Sequence, residues 1–258
     1  MDIAVCIKQV PASESKIQPR CDGCDIERAG IAYVVNPYDE FAIEEALRIK
    51  EKFKCGEVTV ITLGPIKSVE ALRTCLAIGA DRAEHIQGAL GMDIYEVAVV
   101  LAAALRRVPY ALILFGKQAI DDDQGATGIA VAALLGLPHV SVVNHLEVGE
   151  TSAICHRQIE GAIEIIETPL PAVVTCQKGL NEPRYATLPG ILRAKQKPIT
   201  TLSYADLGLS GADDVMRKTA IQRMEMPPAR PSGKIISGSP DEAVAELVQC
   251  LRNEIHIL

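Results

Sequence analysis

The sequence predicts an α/β fold with a mostly parallel sheet, an antiparallel extension and a C-terminal arm. Short apolar runs alternate with amphipathic helical segments over roughly the first 135 residues, which is typical of a parallel sheet with helices on both faces. Four strand-like segments separated by turns follow at residues 140–176. A stretch rich in Pro, Gly and Ser then leads from residue 198 to one last helix.

Local patterns place the elements of the alternating half. An apolar run at residues 2–10 predicts the first strand, and residues 30–35 are expected to be extended. A helix is expected from Asn36 to about Phe53, because Asn36 suits the N-cap and Pro37 suits the first position, where no amide donor is needed. The elements that follow are a strand at residues 57–63, a helix at 65–78, a strand at 83–86, a helix at 93–107 and a strand at 110–115.

The segment from Gly116 to Gly128 joins a buried strand to a helix of small residues. Because ligands bind at the carboxyl ends of parallel strands, the sheet is expected to be Rossmann-like and to bind a nucleotide here. Gly125 and Gly128 let backbone approach a phosphate at a helix N-terminus. The carboxylates of residues 121–123 would repel a phosphate unless they face sugar hydroxyls or cap the helix, so an adenosine-type ligand is favoured. The alternative is an acidic loop that begins a helix, with Asp123 as its N-cap.

The pattern changes beyond the helix expected at residues 125–135. Strands at residues 140–148, 152–159, 163–167 and 172–176 are expected to be antiparallel. Ser239 and Glu242 form a capping-box pattern before the final helix. The apolar face of that helix must dock on something, so an arm wrapped on a partner and a linker with its helix folded back on its own domain both stay open.

Length and composition exclude several classes of protein. With 258 residues, 48% of them hydrophobic, the chain can fill a sizeable core. A net charge of −7, no Trp and only three Phe argue against nucleic acid as the main partner. The chain has no run of about 18 apolar residues and no signal-peptide pattern, so direct membrane insertion is not expected and a cytoplasmic location is.

The eight cysteines are expected to be reduced thiols, because they are scattered over a large domain. Cys21 and Cys24 have the Cys-x-x-Cys spacing of half a metal site or a redox pair. No second pair at ligand spacing follows, so a structural or incidental role is favoured and no metal site is expected. The five histidines are scattered as well, and no spacing predicts a catalytic residue.

Three separated motifs resemble those of the electron-transfer flavoprotein β subunit. They are Gly-Lys-Gln-Ala-Ile-Asp-Asp-Asp at residues 116–123, Arg-Gln-Ile-Glu-Gly at 157–161 with Pro-Ala-Val-Val-Thr at 171–175, and Asn-Glu-Pro-Arg-Tyr-Ala-Thr-Leu-Pro at 181–189. The resemblance includes the opening segment at residues 6–10 and residues 80–82, and it spans essentially the whole chain in the same order.

The resemblance implies a subunit without catalytic turnover of its own that pairs with an α subunit holding FAD. The heterodimer would carry electrons from flavin dehydrogenases, of the acyl-CoA type that serves fatty acid oxidation, to a quinone reductase. The β subunits of this family bury one AMP as a structural ligand. By motif position, the AMP-binding residues would be Cys6, Asn36, Pro37, Tyr38, Asp39, Leu63, Gly116, Lys117, Gln118, Ala119, Ile120, Asp121, Asp122, Asp123, Gln124, Gly125, Ala126 and Thr127.

The resemblance also implies that residues 181–195 grip the dehydrogenase, with Leu188 as an apolar anchor. An exposed leucine can fill a pocket while nearby cations speed association; by local pattern alone, Leu188 would begin an ordinary helix. The partner-binding residues would be Pro183, Arg184, Tyr185, Leu188, Pro189, Ile191, Arg193 and Lys195. The expected domains are an adenine-nucleotide-binding domain at residues 1–182, a recognition loop at 183–197 and a C-terminal arm at 198–258.

The family contains two types of cleft. Members that bifurcate electrons carry a second FAD in place of AMP, and their loop resembles Ala-Ile-Asp-Gly-Asp. Asp122 and Thr127 favour the AMP type for this chain. The chain departs from the family pattern at Ala126, where a polar side chain is usual, so a backbone amide or water would replace that donor to the phosphate.

Two other classes stay open from the residues alone. An adenine-nucleotide-binding enzyme or stress sensor would hold magnesium on residues 121–123, although the chain has neither a Gly-x-x-x-x-Gly-Lys-Ser/Thr nor a Ser-Gly-Gly-x-Asp-Ser loop. A structural interaction protein would have a vestigial cleft. Turnover of ATP with magnesium would indicate the first class, and purification without nucleotide would indicate the second.

Overall fold

The computed structural model describes residues 1–209, 215, 217–230 and 232–257. Two compact units, Met1–Met224 and Glu225–Leu258, make up the chain. The strands are β1 (Ile3–Cys6), β2 (Gln9–Pro11), β3 (Tyr33–Val35), β4 (Val58–Gly64), β5 (Arg82–Gln87), β6 (Leu112–Gly116), β7 (His139–Val148), β8 (Ser152–Ile159), β9 (Ala162–Pro169), β10 (Ala172–Cys176) and β11 (Thr200–Leu202). The helices are α1 (Pro37–Phe53), α2 (Val69–Ile78), α3 (Ile94–Leu105), α4 (Thr127–Leu135), α5 (Leu188–Gln196) and α6 (Pro240–Asn253), with short 3₁₀ turns at Ile66–Ser68 and Ala205–Leu207.

Nine strands of the described chain form one sheet in the order β11-β5-β4-β1-β6-β10-β7-β8-β9. The neighbours from β11 to β7 are all parallel, whereas β8 and β9 are antiparallel and extend one edge. The predicted α/β class, with a mostly parallel sheet and an antiparallel extension, is therefore confirmed. Strands β2 and β3 pair separately as a small antiparallel ribbon.

Strand β1 lies at the centre of two apolar cores. Ile3 and Val5 pack on the face that α1 and α2 cover, while Ala4 and Cys6 pack on the face that α3 and α4 cover. All four side chains are buried. A strand that is covered on both faces must be apolar at every position, which explains the unbroken apolar run seen in the sequence.

The structure corrects several expectations about the elements. Residues 2–10 are not one strand, because β1 ends at Cys6 and β2 leaves the main sheet to pair with β3. Strand β10 is not antiparallel, because it inserts between β6 and β7 and runs parallel to both. Its five residues are all buried, which is the signal of a central strand. Strand β11 adds to the sheet from a stretch whose composition predicted irregular structure.

Most other elements predicted in the alternating half lie within about two residues of their expected limits. The exceptions are β3, which begins three residues later than expected, and α2, which begins four residues later, after the 3₁₀ turn at Ile66–Ser68. Strands β4 and β5 follow β1 in the chain and lie on one side of it in the sheet. The chain then returns through α3 to β6, which lies on the other side of β1. Cys6 at the end of β1 is in register with Ile61 and Phe115, so the carboxyl ends of β1, β4 and β6 lie side by side. Open α/β sheets bind their ligands at such a switch point.

The second unit contains α6. The predicted capping box is present, because the Ser239 hydroxyl accepts from the Glu242 amide and the Glu242 carboxylate accepts from the Ser239 amide. Lys234 pairs with Glu246 at 2.9 Å. Val244, Leu247 and Val248 share the apolar face of this helix and are exposed. Across the described residues, no helix is both long and apolar enough to cross a bilayer.

Candidate functional site

A cleft opens at the carboxyl ends of β1, β4 and β6. Many of the residues expected to bind a nucleotide line it: Cys6, Asn36, Asp39, Leu63, Gly116, Lys117, Gln118, Ala119, Asp122, Gln124, Gly125 and Thr127. Other expected residues lie beside the cleft without lining it: Pro37, Tyr38, Ile120, Asp121, Asp123 and Ala126. The structure adds lining residues that were not expected: Ile7, Lys8, Met92, Asp93, Ile94, Val97, Leu101, Phe115 and Gly128.

One part of the lining is apolar. Ile94, Val97 and Leu101 come from α3, and Leu63 and Phe115 come from the ends of β4 and β6. Sequence reasoning missed the α3 residues, because helical periodicity shows which face is buried but not which part of that face meets a cleft. An apolar wall with a few polar groups nearby is the usual environment of a bound organic ring.

Another part of the lining is the N-terminus of α4. Ala126 is the N-cap and offers no side-chain hydrogen bond, so the amides of the first turn are left for another acceptor. Gly125 turns the chain into this helix with φ of +62°, and Thr127 adds a hydroxyl at the cleft. An uncapped N-terminus carries roughly half a positive charge and stabilises an anion. These donors fit a phosphate group.

Gly128 has a packing role that was not anticipated. A Cβ atom at this position would lie 3.0 Å from Thr175 Cγ2 and 3.2 Å from the Phe115 ring. The missing side chain therefore lets the first turn of α4 approach β6 and β10 closely. This contact places the amides of α4 at the cleft.

The three carboxylates of the acidic loop all have partners within the chain, one of which is a cation. Lys8 Nζ lies 2.7 Å from an oxygen of Asp121 and 2.9 Å from an oxygen of Asp122. Asp123 does not cap α4, so that expectation is wrong; its carboxylate accepts a hydrogen bond from the Gln118 amide, and its φ is +51°. Lys8 was missed because it follows the first strand, 113 residues away from Asp121.

Asp39 ties three elements together beneath the cleft. Its carboxylate accepts hydrogen bonds from the backbone amide of Lys8 at 2.7 Å, the side-chain amide of Asn36 at 3.0 Å and the backbone amide of Gly116 at 3.0 Å. Burial raises its pKa to about 7, although these three donors favour the ionised form. Gly116 leaves room for this carboxylate, because a Cβ there would lie 2.3 Å from Asp39 Oδ1.

Residues 181–195 consist of a base, which hydrogen bonds and ion pairs hold against α1, and an exposed tip. Asn181 donates to the Phe41 carbonyl and the Glu45 carboxylate, and Arg184 pairs with Glu44 at 2.8 Å and with Glu51 at 2.6 Å. Burial opposes the ionisation of Glu44, but its hydrogen bonds with Arg184 and Arg48 outweigh burial and lower its pKa. Arg184 is therefore engaged within the chain.

The exposed tip comprises Tyr185 and the start of α5. This helix begins at Leu188, so the local pattern there correctly indicated a helix start. Thr187 caps α5 by accepting from the Gly190 amide. A Cβ at Gly190 would lie 2.4 Å from the Ala77 carbonyl oxygen, so this glycine seats α5 against α2. Tyr185 is 95% exposed and Leu188 is 71% exposed, which leaves two large side chains free at the surface.

Cys21 and Cys24 lie in an exposed turn and carry free thiols. The backbone amide of Gly23 donates to the Arg20 carbonyl, and the Asp22 carboxylate accepts from the Cys24 amide, as expected for a turn. No cluster of three or more His, Cys, Asp or Glu side chains in the described part of the chain is arranged to hold a metal.

The fold and the cleft define an α/β protein whose concave site lies at the switch point of its sheet. Comparison with known proteins identifies the family. Residues 24–207 match the family model described as electron transfer flavoprotein domain. The chain is 39% identical over 261 residues to the electron transfer flavoprotein subunit beta of Bacillus subtilis, with both chains fully covered.

Two further relatives cover the full length of both chains. One is the electron transfer flavoprotein subunit beta of Bradyrhizobium diazoefficiens, at 38% identity over 258 residues. The other is the caffeyl-CoA reductase-Etf complex subunit CarD of Acetobacterium woodii, at 38% identity over 264 residues. The chain belongs to the electron transfer flavoprotein family, and the resemblance to β subunits inferred from its motifs is confirmed.

Proposed function

We propose that this chain is the β subunit of a heterodimeric electron-transfer flavoprotein and that its cleft binds AMP as a structural ligand. The heterodimer would carry electrons from flavin dehydrogenases of the acyl-CoA type to a quinone reductase. The flavin, held mainly by the α subunit, supplies the redox chemistry when it is bound. The chain itself would hold the adenylate and contact the partners, without catalytic turnover of its own.

The observation that carries the nucleotide proposal is an uncapped helix N-terminus in the same cleft as an apolar wall. The first-turn amides of α4 would donate hydrogen bonds to the phosphate, and the α3 residues Ile94 and Val97 would contact the adenine. Lys8 removes much of the repulsion that Asp121 and Asp122 would otherwise exert on a phosphate. We therefore propose a nucleoside monophosphate as the ligand of this cleft.

The partner proposal rests on the base and the exposed tip of residues 181–195. Tyr185 and Leu188 are the most exposed apolar groups of this segment, and Ile191 and Leu192 are exposed as well. The backbone that carries them is held by ion pairs and by Thr187. Residues that dominate the binding energy of an interface are typically large side chains that are already held in the bound conformation. Arg193 and Lys195, at the end of α5, would steer an acidic partner.

Composition of the purified heterodimer tests the proposal. The chain should be co-expressed with an α subunit, extracted with acid, and analysed for nucleotides by chromatography. One FAD and one AMP per heterodimer are expected. Two FAD and no AMP would assign the bifurcating type, and the absence of any adenine nucleotide or of a flavin-bearing partner would contradict the proposal.

Asp122 supports AMP over a second FAD in this cleft. The side chain lines the cleft and is paired with Lys8, at the position where the bifurcating pattern has a glycine. A larger flavin would therefore have to displace a carboxylate that is held by an ion pair. The cytoplasmic location stays a prediction from the sequence.

A further inference from the structure

Asn36 precedes α1 as its N-cap, yet its side chain makes no cap hydrogen bond. The side-chain amide nitrogen donates to the Gln118 carbonyl at 2.9 Å, and the side-chain oxygen accepts from the Ile120 amide at 3.1 Å. One buried side chain, 1% exposed, thus holds two peptide groups of the cleft loop at residues 117–124. An N-cap asparagine normally uses its oxygen on its own helix, so this side chain is diverted to the loop.

Asp39 accepts a hydrogen bond from the Asn36 side chain. The second proton of the Asn36 amide goes to Asp39 Oδ1 at 3.0 Å, which fixes the orientation of the amide. The same carboxylate accepts from the amides of Lys8 and Gly116, so it joins the chain after β1 to the end of β6. Hydrogen bonds therefore connect the chain after β1 and the end of β6 to Asp39, Asp39 to Asn36, and Asn36 to the loop.

The hydrogen-bonding capacity of this pair is nearly used up within the chain. Both amide protons of Asn36 have acceptors, and Asp39 accepts three hydrogen bonds. A direct polar contact with a ligand would have to compete with bonds that are buried and therefore costly to lose.

We infer that Asn36 and Asp39 are positioning residues that hold the loop at residues 117–124 in the conformation that accepts the nucleotide. They act on the ligand through the loop. This inference deepens the proposed function and depends on it for the identity of the ligand. It requires that the loop be ordered by these contacts before the nucleotide arrives.

Asn36→Ser is the most informative variant. Serine is a good N-cap and should preserve α1, but its hydroxyl is too short to bridge Gln118 and Ile120. With nucleotide removed from the full-length chain, amide exchange in residues 117–124 should become about tenfold faster, and the Kd for AMP should rise about tenfold, equal to about 1.4 kcal/mol. Asp39→Asn should change both quantities in the same direction.

Asp81→Asn is the matched control for Asp39→Asn. The Asp81 carboxylate also accepts from a backbone amide, that of Val58 at 2.8 Å, but Val58 begins β4, at the opposite end of the strand from the cleft. This variant should lower global stability while loop exchange and AMP affinity stay at their wild-type values.

Three outcomes decide the inference. Faster loop exchange together with weaker AMP binding supports it. Weaker AMP binding with unchanged exchange in the nucleotide-free chain would make Asn36 a direct contact and overturn it, and no change in either quantity would overturn it too. If the wild-type chain binds no AMP, the proposed function fails, but the exchange comparison still decides whether Asn36 orders the loop.

Discussion

Lys8 shows how one side chain changes the chemistry of a motif. Three successive carboxylates beside a phosphate site would be unfavourable in isolation, but Lys8 pairs with Asp121 and Asp122, and Asp123 is held by Gln118. These pairs are partly exposed, so each contributes little to stability. Their effect is on the local potential, which decides whether an anion can approach.

Asp39 predicts a pH dependence of stability. Its folded pKa, raised to about 7 by burial, lies above the unfolded value of about 3.9, so the folded state binds more protons between these values. Its contribution to the free energy of unfolding should therefore fall as pH rises from about 4 to about 7, by at most about 1.4 kcal/mol per pH unit.

Urea unfolding of wild type and Asp39→Asn at pH 5 and pH 7.5 checks this. The variant should be less stable at both pH values, because asparagine has one acceptor oxygen in place of two and one of the three donors around residue 39 would lose its partner. The difference in the free energy of unfolding between the two proteins should be smaller at the higher pH. Lys8 stays charged, and burial raises the pKa of the nearby thiols of Cys6, Cys75 and Cys176, so Asp39 is the facing group that titrates. A stability difference between wild type and Asp39→Asn that does not change with pH would contradict the raised pKa of Asp39.

Gly116 predicts a steric effect at the same place. In Gly116→Ala, the new Cβ would lie 2.3 Å from Asp39 Oδ1 and 2.7 Å from the Tyr38 carbonyl carbon, so backbone must shift. The free energy of unfolding should fall by about 3 kcal/mol, as for an overpacked site. Gly233→Ala, where no atom lies within 4 Å of the added Cβ, should change it little. Equal effects in chemical denaturation would argue against a steric role for Gly116.

Helix α5 shows how an element can be rigid and exposed at once. Its start is capped by Thr187, Gly190 seats it against α2, and Arg73 donates to the carbonyls of Ala194 and Lys197 near its end. The apolar side chains that remain outside these contacts are presented without a large entropic cost on binding.

Leu188→Ala tests this element as a docking site. Because Leu188 is 71% exposed, the variant should keep wild-type stability and AMP content. Reduction of the heterodimer by its dehydrogenase should become at least about tenfold slower, as for a central binding anchor. Ile66→Ala removes a side chain of similar exposure, 69%, outside the segment and should leave the rate unchanged. Equal stopped-flow rates for Leu188→Ala and wild type would show that Leu188 does not anchor the dehydrogenase.

The whole molecule combines a large sheet unit with a small unit that contains α6. In the small unit the apolar face of α6 is exposed, and the helix has its own capping box. An amphipathic helix with an uncovered apolar face gains stability by docking on another surface. We propose that the α subunit supplies that surface.

Leu247→Asp tests the arm in the complete chain. A carboxylate on the apolar face should weaken assembly with the α subunit by at least about tenfold, because the charge would be desolvated in the interface. Gln249→Asp places the same charge on the other side of α6 and should assemble normally. Analytical ultracentrifugation of the mixed subunits measures both, and equal dissociation constants would place the interface elsewhere.

The alternating half of the fold could be predicted because its signals are local. Asn36 and Pro37 mark the start of α1, apolar runs mark the buried strands, and the loop after β6 follows from a strand that ends at Gly116. Strand β10 was misassigned as antiparallel, because a short buried strand carries no signal for its direction or its neighbours.

The amino-acid sequence by itself determined most helices and strands of the alternating half, which of their faces are buried, and that an acidic loop with glycines follows a buried strand. Only the tertiary structure decided that Lys8 pairs with the acidic loop, that α3 supplies the apolar wall, and that Asn36 turns from its own helix to the loop. The reason is physical: periodicity and capping depend on neighbours within a few residues, whereas hydrogen bonds and ion pairs depend on distances of about 3 Å between groups that only folding brings together.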